Sequence, residues 1–66
     1  MIPVNSTSIA AVAYDKERRE LSVKFVKGEK VYTYYEVPEK VYDEFIKAPS
    51  IGKYFNAHIK KYSVGA

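Results

Sequence analysis

Leu21, Val23 and Phe25 alternate with Ser22 and Lys24, and this short run constrains the chain more than any other feature. Only an extended backbone sends every second side chain to the same side, so the run predicts a strand with one face buried and one face wet. Lys27-Gly28 follows, with a glycine able to take the positive φ that a two-residue hairpin turn requires, and residues 29–37 (EKVYTYYEV) return as a second strand. Upstream, residues 8–15 (SIAAVAYD) lean to extended structure and are set off by the charged segment 16–19. The first half therefore reads as a three-stranded antiparallel meander.

With Lys27 and Gly28 as the turn, Val26 faces Glu29, Phe25 faces Lys30, Val23 faces Tyr32 and Leu21 faces Tyr34. Tyr32 and Tyr34 then share the apolar face, while Val31, Thr33 and Tyr35 lie opposite with Ser22 and Lys24. A bulge at the glycine would shift the pairing by one residue and exchange these roles.

Pro38 opens a helix, where its missing N–H is harmless, and Glu39 sits near the positive end of the helix dipole. Val41, Tyr42, Phe45 and Ile46 form its apolar stripe. Pro49 forbids a smooth continuation, and Ser50 is placed to cap a second helix from Ile51. At about 100° per residue, Ile51, Tyr54, Phe55, His58, Ile59 and Tyr62 fall on one side of this helix, with Lys53, Asn56, Ala57 and Lys60 on the other. The tail 63–66 (SVGA) has too little apolar content to dock and is expected to fray.

A chain of 66 residues is one domain, 1–66, and buries only ~60% of the surface its unfolded form exposes, so a few large side chains must supply the core. The seven tyrosines and three phenylalanines fit that need. With no cysteine, neither a disulfide nor a thiolate zinc site staples the fold, and no oxidising compartment is required. The opening MIPVNSTSIAAVAY lacks the pattern of a signal peptide, and no run approaches the ~20 apolar residues of a membrane span. The expectation is a soluble cytoplasmic protein that does not engage membranes. Net charge is +3, but no acidic side chain follows Glu44, whereas Lys47, Lys53, Lys60 and Lys61 do.

In this order of elements the chain resembles the KTSC domain, a short module found alone in bacterial and phage-like proteins and at the C-terminus of some lysyl-tRNA synthetases. The resemblance spans nearly the whole chain, through VNSTSI at residues 4–9, AYD at 13–15, LSVKF at 21–25, YTY at 32–34, VP at 37–38 and APSIGKYFNAHI at 48–59. Thr7 stands where a second serine is common, and Ala13 where glycine usually precedes the Tyr-Asp pair. The resemblance implies an α+β module and, from the synthetase context, RNA binding.

Catalytic chemistry finds little support in the residues. His58 is the only imidazole and falls within the apolar arc of the second helix, so it reads as a packed core histidine rather than a base or ligand. The hydroxyls of residues 5–8 (NSTS) lack an oriented base and are better explained by turn hydrogen bonding. Asp43 and Glu44 are helix neighbours that point apart. Gly52-Lys53, in the first turn of the second helix, suits one phosphate but lacks the upstream glycine-rich loop of a nucleotide-binding site.

The expected fold is thus α+β: a three-stranded antiparallel meander followed by two helices packed on one face. Its expected core is Val12, Tyr14, Leu21, Val23, Phe25, Tyr32, Tyr34, Val41, Phe45, Ile46, Ile51, Phe55 and Ile59. The expected function is a small non-enzymatic interaction module with no cofactor, metal or catalytic residue. RNA or another nucleic acid is the leading partner, held by Lys53, Asn56, Lys60 and Lys61 on the basic helix face, with Lys24 and Tyr35 on the open side of the sheet. The alternative is a protein partner on that open face, at Ala11, Ala13, Thr33 and Tyr35.

Overall fold

The structure, a computed structural model, describes residues 1–28 and 30–65. Its strands are β1 (Ile2–Pro3), β2 (Ile9–Asp15), β3 (Glu20–Phe25), β4 (Val31–Tyr34) and β5 (Val64–Gly65); helices α1 (Glu39–Lys47) and α2 (Ile51–Tyr54) lie between β4 and β5. A π-helical turn, Phe55–Ile59, continues α2 directly. The strands form one antiparallel sheet in the order β1-β2-β3-β4-β5. The fold is α+β as expected, with five strands rather than three.

The β3–β4 register pairs Leu21 with Tyr34 and Val23 with Tyr32, the pairing that the alternation requires. Tyr34 is only 6% exposed and Tyr35 41% exposed, so adjacent tyrosines divide between the two faces. At its described residues the connection departs from the expected two-residue turn. Gly28 does not take a positive φ, its N–H donates to the Phe25 carbonyl at 3.3 Å, and the expected facing of Val26 and Glu29 falls on a residue outside those described.

In β2 the core residues Ile9 and Val12 are three apart, which a regular strand cannot place on one face. A register shift between Ile9 and Ala11 absorbs the extra residue: Ile9 pairs with Phe25 and Val12 with Val23. At the far end, Asp15 Oδ1 accepts from the Glu17 and Arg18 N–H groups at 3.1 and 3.2 Å, closing the turn into β3.

The two outer strands are additions to the expected meander. Ile2 pairs with Val12 and Pro3 with Ala11 at one edge; Val64 pairs with Tyr34 and Gly65 with Thr33 at the other. Residues 64–65 therefore dock rather than fray. The Tyr35 N–H donates to the Ser63 carbonyl at 2.9 Å, and the Tyr35 ring lies over Gly65, where a Cβ would stand 2.6 Å from the phenol oxygen.

Both helices cover the face that carries Leu21, Val23 and Tyr34. Phe55 is the hub, meeting Phe25 and Tyr34 edge-on with ring centroids 5.4 Å apart in each case. The core comprises Ile9, Val12, Leu21, Val23, Tyr34, Val37, Phe45, Ile51, Phe55 and Ile59, with Tyr14, Phe25, Tyr32, Val41 and Tyr42 packed against it. Two members lay outside the expected set. Ile9 enters through the bulge. Val37 enters because its N–H donates to the Arg19 carbonyl at 2.9 Å while its own carbonyl accepts from the Tyr14 hydroxyl.

Ile46 departs in the other direction, being 37% exposed. Phe45 occupies the centre of the buried arc of α1, and the next residue, about 100° around the helix, falls at the border.

Candidate nucleic-acid interface

Ser50 starts the second helix as expected, its Oγ accepting from the Lys53 N–H at 3.4 Å. Past Tyr54 the winding changes. The Lys60 N–H donates to the Phe55 carbonyl five residues back, at 2.9 Å, which defines the π turn. More residues per turn bring side chains four apart closer to one line, where an α-helix of 3.6 residues per turn would let them drift. Ile51, Phe55 and Ile59 are spaced by four, and all three are buried.

This winding corrects the placement of His58. An α-helix would turn it into the apolar arc, but here it is exposed. Its ring stacks on Tyr54, four residues earlier, with centroids 4.5 Å apart and a 38° tilt. Tyr54 is held from behind, its hydroxyl donating to Glu44 Oε1 at 3.1 Å. Burial first, and then this bond, hold the Tyr54 phenol above the usual tyrosine range.

Lys53, Asn56, Lys60 and Lys61 are all exposed. The ion pairs among the described residues join Lys16 to Glu39 at 3.6 Å and Arg18 to Asp15 at 4.0 Å, so neither draws on the second helix. Lys61 Nζ lies 5.8 Å from the centre of the Tyr62 ring. Lys24 and Tyr35 stand elsewhere. Lys24 pairs with Ala11 and Val31 on the sheet face opposite the helices, and Tyr35 reaches Gly65 on that same face. The six candidate residues thus form two surfaces separated by the thickness of the sheet.

Two clefts meet at Lys53. One, of about 420 Å³, lies between the 5–8 loop and the start of the second helix, with Ser6, Ser8, Ser50, Lys53 and Asn56 in its lining. Ser6 Oγ accepts from the Ser8 and Ile9 N–H groups at 3.1 and 3.3 Å, so of the loop hydroxyls Ser6 performs the turn bonding expected of them. A Cβ on Gly52 would meet Ser8 Oγ at 3.6 Å, an ordinary contact, so space alone does not demand glycine there. The second cleft, of about 430 Å³, is lined by Pro49, Ser50, Lys53, Tyr54, Ala57 and His58.

Asp43 and Glu44 line a separate hollow with Lys47 and Tyr54 on the α1 side. Among the described residues no three His, Cys, Asp or Glu side chains gather where one metal ion would bind, and no helix is long and apolar enough to cross a membrane.

The sequence and fold identify the class plainly: the chain matches the family model of the KTSC domain over residues 5–62 and belongs to that family. It is 34% identical to a KTSC domain protein from Yersinia pestis whose crystal structure superposes with a TM-score of 0.90, covering 96% of this chain and 89% of that one. A protein of Tsukamurella paurometabola is 40% identical over 60 residues, 91% of this chain and 88% of its own length. An uncharacterized protein of Stutzerimonas stutzeri is 34% identical over 59 residues, 89% of this chain and 82% of its own.

Proposed function

We propose that this KTSC domain is a non-enzymatic module that binds RNA through the exposed face of its second helix. The observation that carries the reading is the set of exposed lysines, Lys53, Lys60 and Lys61, that the ion pairs of the described residues leave unengaged, with Lys53 at the junction of two clefts. Free ammonium groups beside a concave, hydroxyl-lined surface favour a polyanion, because phosphate neutralisation releases counterions and adds affinity in proportion to the contacts made. Asn56 supplies a neutral donor and acceptor beside Lys53. The loop hydroxyls serve as lining, with no catalytic role.

The test is a double charge reversal, Lys53→Glu with Lys60→Glu, assayed against a mixed-sequence single-stranded RNA across a salt series. Stability should barely change, since exposed charges contribute only ~0–1 kcal/mol. RNA affinity should fall at least about tenfold, and the salt slope should flatten by about two phosphate contacts. Undiminished affinity in the reversed protein would remove the second helix from the interface.

One observation favours a second reading, a protein partner on the open sheet face. Ala13, Ser22 and Thr33 run in one row across β2 to β4, so short side chains leave a shallow strip beside Val31 and Tyr35, 39% and 41% exposed. Docking there would be largely insensitive to salt, unlike phosphate binding.

A further inference from the structure

We infer that the groove between Lys53 and His58 holds one unpaired nucleotide, its base against the His58 ring and its phosphate at Lys53. The inference rests on the nucleic-acid reading above and adds the aromatic partner which that reading lacks. Tyr35 is the ring that the sequence offers for stacking, yet it is on the wrong side of the sheet from the helix lysines and already lies over Gly65. His58 is on the same side as those lysines.

Four features make the groove suit a base. One face of the His58 imidazole is backed by Tyr54 at 4.5 Å, and Tyr54 is itself fixed by Glu44, so the stack is ordered before any ligand arrives. His58 is exposed and lines the cleft, so its ring is accessible from there. Ala57, the residue beside it in the cleft lining, is also exposed and has only a methyl group, so the cleft stays open between Lys53 and the paired Tyr54 and His58 rings. The neighbouring hollow at Tyr54 is lined by Asp43 and Glu44 against the single Lys47, which disfavours a phosphate there relative to Lys53.

Histidine is among the rings on which unstacked bases lie, and such stacking tolerates any base because each has a π face. A duplex, with its bases already stacked, offers only phosphates. The groove therefore discriminates single strands from duplexes, which the lysines alone would not do.

The test compares Ala57→Leu, which fills the groove, and His58→Ala, which removes the ring, with the unsubstituted protein. Binding is read by fluorescence anisotropy on a labelled single-stranded RNA dodecamer of mixed sequence, the matching single-stranded DNA, and the RNA duplex. Both positions are exposed, so melting temperatures should stay within a few degrees. Each variant should lose about fivefold or more in affinity for the single strands and keep its duplex affinity; the single strand that the unsubstituted protein holds more tightly identifies the polymer.

Unchanged single-strand affinity in both variants would overturn the groove while leaving the lysine interface standing if Lys53→Glu with Lys60→Glu still weakens binding. Equal losses for single strand and duplex would overturn the stacking role. An unsubstituted protein that binds none of the three at low salt overturns the nucleic-acid reading itself, and the groove with it.

Discussion

The β3–β4 hairpin and the second helix are both amphipathic, and in both the division of two adjacent residues between inside and outside decides the surface. In the hairpin, Tyr34 goes in and Tyr35 out. In the helix, Ile59 goes in and His58 out. The first division follows from the sequence and the second does not. A strand without a bulge has a period of two whatever its twist, so in β3 and β4 alternation alone assigns the faces. A helix has no such guarantee, because a change from four-residue to five-residue hydrogen bonding rotates every later side chain.

The largest effect that sharpens this comparison lies in the hairpin. Tyr34→Ala should destabilise by about 3–5 kcal/mol, as truncating a buried aromatic ring does, and Tyr35→Ala by under ~1 kcal/mol. Stability in this size range is itself only ~5–15 kcal/mol, so denaturant melts will separate the two without ambiguity. The reverse order would mean that the register is displaced by one residue.

The matching pair in the helix comes next. Ile59→Ala should cost about 2–5 kcal/mol, and His58→Ala under ~1 kcal/mol. A severe loss from His58→Ala would restore regular α winding and return the imidazole to the core.

A smaller effect follows from the tyrosine hydroxyls. Burial is the leading cause that raises the phenols of Tyr14, Tyr34, Tyr42 and Tyr54 above the ordinary value. Unfolded tyrosines lose their protons near pH 10, while the folded protein holds these four longer. The folded state then binds more protons, so stability is fully present below about pH 10 and falls as pH rises beyond it. Melting temperatures between pH 9 and pH 11 should show the decline. Tyr54→Phe should reduce the helix's share and leave that of Tyr34 in the hairpin.

Legibility in the sequence tracks how many residues carry a repeating signal. Five residues of alternation define β3, and nine residues with a proline start define α1, so both were readable. The strands β1 and β5 have two residues each, too few to show any period, and they exist because the open edges of β2 and β4 offer them partners. Ile9 was obscured by the bulge, although three-residue spacing from Val12 across two alanines is the pattern that a bulge leaves behind. Val37 immediately precedes the Pro38 cap, with Tyr42 at the fourth helical position, the spacing of a hydrophobic staple that would have marked it as buried.

Around the second helix, the exposure of Lys53, Asn56, Lys60 and Lys61 was legible because exposed polar residues tolerate a rotated helix. The exposure of His58 was not, since the π turn brings it out beside Lys53, whereas strand alternation places Tyr35 on the far face of the sheet.

The most direct measurement of the central claim is a titration of isotope-labelled protein with single-stranded RNA, following backbone amides and the His58 ring protons by NMR. Shifts should concentrate at Ser50, Lys53, Asn56, Ala57 and His58, with the His58 ring moving most and Lys24, Thr33 and Tyr35 silent. Shifts centred on Lys24 and Tyr35 with the second helix silent would contradict an interface on the second helix.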